Sequence, residues 1–154
     1  MSLFTIFQIS SQGMTAQRER LETASANLAN AHSTRTSEGG PYRRRDILFQ
    51  TVAIQEGSNP FSDSPSNSLF SDVTAGVPQG VRARTELAGP DKFIKRYDPG
   101  HPDADADGYV KLPEVDPLEE TVNMISAARS FEANATAFNT AKELARATLK
   151  LGES

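Results

Sequence analysis

Over the first 28 residues, Leu3, Phe7, Ser10, Met14, Gln17, Leu21, Ala24 and Leu28 recur at alternating spacings of four and three. Near the other end, Met124, Ala128, Phe131, Ala135, Phe138, Lys142, Ala145 and Leu149 follow the same alternation. This spacing sets one stripe along one side of a helix, as in the seam of a coiled coil, and predicts a long helix at each end of the chain. Ser10, Gln17 and Lys142 interrupt the stripes and Ala fills much of both, so the spacing alone also fits two helices of an ordinary bundle. Burying about six large apolar side chains on the first helix gains on the order of 10–15 kcal/mol. Ordering its residues costs about 1–2 kcal/mol each before backbone hydrogen bonds contribute. Neither helix is expected to hold its shape alone. The ends are expected to need one another and further subunits, and to fold on assembly.

The second helix carries clear boundary signals. Asp116 suits the N-cap, Pro117 the first helical position and Glu119 the acid of a capping box. Glu119 and Glu120 complement the positive end of the helix dipole, Arg146 and Lys150 the negative end, and Gly152 follows the last apolar residue. The first helix is expected to fade over residues 30–33, where Asn, His and Ser compete for backbone hydrogen bonds. Residues 37–41 read as a turn and residues 42–52 as a strand. Residues 55–78, rich in Ser, Asn, Asp, Pro and Gly, read as a long loop. Val81, Ala83, Thr85 and Leu87 alternate with Arg82, Arg84 and Glu86 as in a half-buried strand, and shorter strands follow at 93–97 and 109–112. The expected class is α+β: terminal helices packed as a coiled-coil-like pair, with a small antiparallel β region between them. Residues 1–33 and 114–154 would form the assembly domain, and residues 34–113 a β-rich domain with the loop.

Composition narrows the picture. A chain of 154 residues supports one domain, or a small domain with helical extensions. Its hydrophobic fraction is 37% and it has no Trp, which argues against a large independent core. A net charge of −4 gives no general affinity for nucleic acid or acidic membrane surfaces. With no Cys there is no disulfide framework and no thiolate site. The first residues lack a basic leader and a long apolar core, so no cleavable secretory signal is expected. No run reaches the ~18 apolar residues of a membrane span, and no direct membrane insertion is expected.

One stretch carries possible metal chemistry. Asp103, Asp105, Asp107, Gly108, Tyr109 and Glu114 stand at positions 1, 3, 5, 6, 7 and 12 of an EF-hand calcium loop. Alternating acids around a Gly turn would gather oxygens about one point, giving a calcium-binding interaction module as the alternative function. The flanks oppose it, because Pro99 and Pro102 precede the loop and Pro113 and Pro117 follow it, where an EF-hand needs helices. An acidic turn leading into a strand is the preferred reading, with no metal and no cofactor. Arg35, Arg43, Arg44 and Arg45 cluster near Tyr42, but Glu38 and Asp46 dilute them, so inter-subunit ion pairs are expected rather than nucleic-acid contact. His32 and His101 have no recognisable catalytic partner, and no nucleophile motif is present, so no catalytic residues are assigned. Asn27, Asn30, Asn134 and Asn139 are poor helix formers inside helices rich in Ala and Leu. Asn27 and Asn134 either lie at the surface or fix helix register from a buried position.

Three further segments carry a resemblance. The first is Ala26-Asn27-Leu28-Ala29-Asn30-Ala31 with Thr34 and Thr36, followed by Gly39-Gly40-Pro41-Tyr42-Arg43-Arg44. The second runs from Tyr97-Asp98-Pro99-Gly100-His101-Pro102 to Gly108-Tyr109-Val110, and the third from Glu120-Thr121-Val122-Asn123 to Phe131-Glu132-Ala133-Asn134. The Asn-Leu-Ala-Asn stretch resembles the N-terminal signature of bacterial flagellar axial proteins. With the other two, the chain resembles the C-type basal-body rod proteins of the flagellar proximal rod, except over about residues 56–77. The resemblance implies a non-enzymatic subunit of a helical rod crossing the periplasm, with the terminal helices as its inner layer. It implies export through the flagellar type III apparatus without cleavage, and contact with itself, other rod proteins and basal-body ring components. On the stripes and Asn positions, the expected subunit-interface residues are Phe7, Met14, Leu21, Asn27, Leu28, Asn30, Met124, Phe131, Asn134, Phe138 and Leu149.

Overall fold

A computed structural model describes residues 3–37, 39–54, 78–89 and 92–152. The elements run α1 (Leu3–Ala29), β1 (Arg45–Ala53), β2 (Gln79–Leu87), β3 (Phe93–Tyr97), β4 (Tyr109–Pro113) and α2 (Pro117–Gly152). The class is therefore α+β, and helix bounds lie within a residue or two of those expected. The loop expected over residues 55–78 falls, apart from Pro78, outside the described residues.

Each helix stops where its sequence supplies an alternative to the next helical bond. At the end of α1 the Asn30 side chain donates to the Ala26 carbonyl at 2.8 Å, and Ser33 folds back on the Asn30 carbonyl at 3.0 Å. At the start of α2, Asp116 Oδ1 accepts the Leu118 N–H at 2.8 Å, an N-cap with Pro117 at the first helical position. Glu119 does not close a capping box. Its Oε1 takes the Arg44 guanidinium at 3.0 Å instead, because the chain after α1 brings that cation closer than the cap.

The helices pack antiparallel along α1. Phe7 meets Phe138 edge-on with ring centroids 4.9 Å apart, Gly13 faces Asn134, and Arg20 donates to Asn123 Oδ1 at 2.8 Å. The buried line of α1 runs through Thr5, Ser10, Gly13, Ala16, Thr23, Ala24 and Asn27, and that of α2 through Glu120, Ala127 and Ala141. Both lines are small or polar. The larger stripe residues Phe7, Met14, Leu21, Leu28 and Met124 sit half-buried along the edges, which differs from a seam of large interlocking side chains. Small residues at the contact let the backbones approach closely, and the chain forms both helices without a core of large side chains. Among the described residues, the largest fully buried side chains are Glu120, Val110, Asn27 and Pro113.

Strands β1 and β2 pair antiparallel from Arg45 opposite Leu87 to Ala53 opposite Gln79, and this ribbon lies against α1. Gly80 sits at the contact, where a Cβ would collide with the Gln12 carboxamide. Strands β3 and β4 pair separately, from Phe93 opposite Pro113 to Tyr97 opposite Tyr109. Two two-stranded sheets thus replace one β region. Loops carry the hairpin: the Thr34 hydroxyl donates to Asp103 Oδ2 at 2.7 Å, and Arg35 lies 3.9 Å from Oδ1.

A Cβ at position 13 would stand 2.8 Å from Asn134 Oδ1 and 3.0 Å from Nδ2. Gly13→Ala must push the Asn134 carboxamide aside, and against a gain in helix propensity of about 1 kcal/mol it is expected to cost up to about 2 kcal/mol net. Asn134→Ala should recover most of that loss in the double variant, read from urea melts followed by circular dichroism. Additive losses would show that the two positions do not share one contact.

Candidate functional site: a polar junction at the helix ends

Where α1 ends, β1 begins and α2 starts, four polar side chains converge. Asn27 is 1% exposed and Glu120 is 2% exposed. The Asn27 carboxamide pairs with the backbone of Arg45 as a neighbouring strand residue would. Its Nδ2 donates to the Arg45 carbonyl at 2.8 Å, and its Oδ1 accepts the Arg45 N–H at 3.0 Å. The second Nδ2 hydrogen points to Glu120 Oε1 at 3.3 Å, and the second lone pair of Oδ1 accepts the Tyr42 hydroxyl at 3.0 Å. All four hydrogen-bonding positions of the amide are used. An Asp there lacks the donors, and a Gln would reach one methylene too far.

Arg44 closes the junction from outside. Its Nη2 lies 3.0 Å from Glu119 Oε1 and 3.1 Å from Glu120 Oε1, and its Nε 3.4 Å from Asp46 Oδ1. Burial raises the Glu120 pKa above its ordinary 4.5, against the opposing pull of Arg44 and the Asn27 amide. Burial likewise raises Tyr42, offset in part by the Arg45 charge. Arg44 is lowered by its own burial, but the Glu119 hydrogen bond and the surrounding carboxylates outweigh this and raise it overall. Beside the junction lies an open cleft of about 420 Å³ between β1 and the two helices, with Arg20, Arg45, Ile47, Phe49 and Asn123 in its walls.

The remaining expected interface residues fall in three places. Phe7 and Phe138 meet edge-on within the chain, and Asn134 is half-buried against Gly13 with its Nδ2 on the Ser130 carbonyl. Asn30 serves the end of its own helix. Phe131 and Leu149 are exposed in the single chain. Sequence reasoning did not single out Glu120 or Tyr42 as partners of Asn27; Glu120 stands 93 positions away and leaves no periodic trace. It also missed a second apolar line on α2, Leu118, Val122 and Ile125, whose spacing of four and three was there to be read. These three side chains are 72%, 58% and 51% exposed on the side of α2 away from α1.

Two acids of the candidate calcium loop, Asp103 and Asp105, are engaged within the chain. Asp103 holds Thr34, and Asp105 Oδ1 accepts the N–H groups of Asp107 and Tyr109 at 3.1 and 2.8 Å. Gly108 turns with φ +81°, carrying the chain into β4. No group of three or more metal-ligating side chains is gathered among the described residues. Of the four basic residues, Arg43 donates to the Ala88 carbonyl, Arg44 belongs to the junction and Arg35 approaches Asp103. No described helix is long and apolar enough to cross a membrane.

Comparison with known proteins fits this architecture of terminal helices around a small β region. Residues 7–35 match the family described as "Flagella basal body rod protein", and residues 106–151 match "Flagellar basal body rod FlgEFG protein C-terminal". The chain is 40% identical to the flagellar basal-body rod protein FlgC of Borreliella burgdorferi, over 98% of both chains. It is 40% identical to FlgC of Escherichia coli O6:H1 and 37% identical to FlgC of Bacillus subtilis, in each case over 99% of this chain and all of the relative. The chain belongs to the FlgC family of flagellar basal-body rod proteins. FlgC proteins are structural, and this chain is a rod protein rather than an enzyme. The junction is thus a structural clamp, and its Asn27 lies inside the segment matched to the rod family.

Two outcomes test the clamp. Asn27→Ala strands the Arg45 backbone pair and the Tyr42 hydroxyl, and should cost about 2–4 kcal/mol in urea melts. Asn27→Asp should cost more at neutral pH, because it sets a second carboxylate against Glu120. The second outcome is a pH slope. An acid whose pKa is raised on folding stabilises the fold fully below its unfolded value, and that contribution is lost as pH rises through the folded value. Wild-type stability should therefore gain as pH falls from 7 toward 4.5 by an increment that Glu120→Gln lacks. Equal slopes in the two proteins would remove Glu120 from the junction's electrostatics.

Proposed function

We propose that this chain polymerises with copies of itself and with related subunits into the flagellar proximal rod, and transmits torque across the periplasm. The paired helices, residues 1–33 and 114–154, form the inner assembly layer, and residues 34–113 form an outer β-rich part. The pair is coiled-coil-like in the assembled state, where neighbouring helices cover faces that one chain leaves open. Delivery by the flagellar export apparatus without a cleaved leader, and contact with basal-body rings, belong to the same reading and rest on family membership.

The observation that carries the proposal is the two-sidedness of α2. One side lies on α1, and the opposite side presents Leu118, Val122 and Ile125 to solvent. Fully covering side chains of this size is worth about 1.5–3 kcal/mol each, so a neighbouring helix has something to gain there. Load then crosses many modest contacts rather than one site. The exposed face lies outside the clamp, which separates assembly from folding in a mutant.

Leu118→Ser, Val122→Ser and Ile125→Ser together should leave monomer stability within about 0.5 kcal/mol per site, as surface changes do. Cells carrying this variant in place of the normal chain should make and export it, yet build few rods and fail to swim in soft agar. Normal swimming with a correctly folded variant would show that the face stays open to solvent in the rod.

A further inference from the structure

Strand β1 is paired on one side only. Its bonds to β2 are made by its even-numbered residues. The same ladder runs on at both ends, where the Arg44 carbonyl accepts the Ala88 N–H at 2.8 Å and the Ile54 N–H donates to the Pro78 carbonyl at 2.9 Å. In an antiparallel pair the residues between point their backbone groups the other way. Arg45 does so, and there both groups are met by the Asn27 amide. Ile47, Phe49, Thr51 and Ala53 point the same way, and their N–H and C=O groups have no partner among the described residues. The free edge thus spans residues 47–53, closed at one end by a side chain that imitates a strand.

Exposed sheet edges are ordinarily blunted by Lys, Pro, a bulge or a covering element. Among the described residues this edge has none of these: the register with β2 runs without a bulge, and residues 47–53 carry neither Pro nor any charge. Leu48 is 44% exposed and Phe49 42%. A two-stranded ribbon also falls short of the three or more strands that hold a sheet together. The edge is complementary to itself. Turned about a two-fold axis at Gln50, a second copy sets its Ala53 opposite Ile47 and its Thr51 opposite Phe49, so all four free residues of each copy exchange backbone bonds. Leu48 falls opposite Val52, an apolar pair on the other face. Helix α1 abuts the edge at Arg45 through Asn27, so the helices of the two copies stand at opposite ends of the joined strands.

We propose that the free edge of β1 pairs with the same edge of a second copy of this chain, making one four-stranded antiparallel sheet in the order β2, β1, β1, β2. The contact is isologous and closes on itself, so it does not propagate as a filament contact must. It belongs to the chain before assembly, where it covers an edge that would otherwise template open-ended strand pairing. It does not depend on the rod reading. So short an edge buries less than the roughly 1,200–2,000 Å² of a standard stable interface, and the dimer is a weak one that forms and separates with concentration.

With no Cys in the chain, one substitution reads the register. Gln50→Cys stands opposite its own copy at a non-hydrogen-bonded position, where Cα atoms are ~4.5 Å apart and a disulfide can close. Arg82 is the partner of Gln50 on β2, so Arg82→Cys lies on the same face but three strand spacings from its copy, about 14 Å and out of reach. Under mild oxidation of the purified full chain, Gln50→Cys should give several-fold more disulfide dimer than Arg82→Cys. In sedimentation velocity the unmodified chain should show a dimer whose share grows with concentration. Leu48→Lys and Thr51→Pro should each lower that share several-fold. The first sets a charge in the paired stretch, and the second removes an outward N–H that β2 does not use. Either variant suffices if circular dichroism shows the other to be misfolded. The Leu118→Ser, Val122→Ser, Ile125→Ser chain should dimerise as before, which separates this contact from assembly through α2. Equal disulfide yields from Gln50→Cys and Arg82→Cys, a chain that stays monomeric up to its solubility limit, a dimer that survives the folded edge variants, or its loss in the α2 variant overturns the proposal.

Discussion

The path from the helix layer into β1 hangs on one amide. By exchanging two hydrogen bonds with the Arg45 backbone, Asn27 turns the last full turn of α1 into a strand neighbour for the first residue of β1. That pairing fixes where the chain leaves the helix layer and in which direction β1 sets off. Its other two bonds tie the same point to Tyr42 in the connection and to Glu120 on α2. Three segments distant in sequence thus take their positions from one side chain of two χ angles. A buried amide of this kind is costly when half satisfied and specific when complete, and here it is complete.

The carboxylate beside it is a less comfortable feature. Glu120 is almost fully buried at the first turn of α2, where the helix dipole favours an acid but the loss of water does not. Arg44 reconciles the two by spanning Glu119, Glu120 and Asp46 from a half-buried position. An apolar residue at 120 would pack with less penalty, yet it would leave the second Asn27 donor unmet. The ion pair therefore reads as a consequence of the amide, and as a source of specificity more than of stability.

How much of this was legible from residues alone follows from the range of each interaction. Helices, caps and strands depend on neighbours within a few positions, and Asp116, Pro117 and the alternation of residues 81–87 placed α2, its N-cap and β2 to within two residues, while β1, expected from Tyr42, begins three residues later at Arg45. The Asn residues stood out as poor helix formers, and the structure gives three of them separate duties: Asn27 to the clamp, Asn30 to a helix end and Asn134 to a steric contact. Their partners were not readable, because Glu120 and Gly13 lie far along the chain and carry no signature. The stripe itself misled in one respect. Spacing marks a face but not its centre, and the buried line fell on Ser10, Gly13 and Ala16 while Phe7, Met14 and Leu21 moved to its edges.

The contact of Asn134 with Gly13 has a mechanical meaning. Two smooth helices of Ala and Ser could creep past each other under load, losing contact gradually. A side chain seated over the only residue on the opposite face without a Cβ behaves as a detent instead. Sliding by a single turn, about 5.4 Å, would drive the amide onto positions that carry a Cβ, and close-packed surfaces do not yield by small fractions. The pair should hold its alignment up to a threshold and then slip as a whole, which is the behaviour of a keyed shaft rather than of a spring.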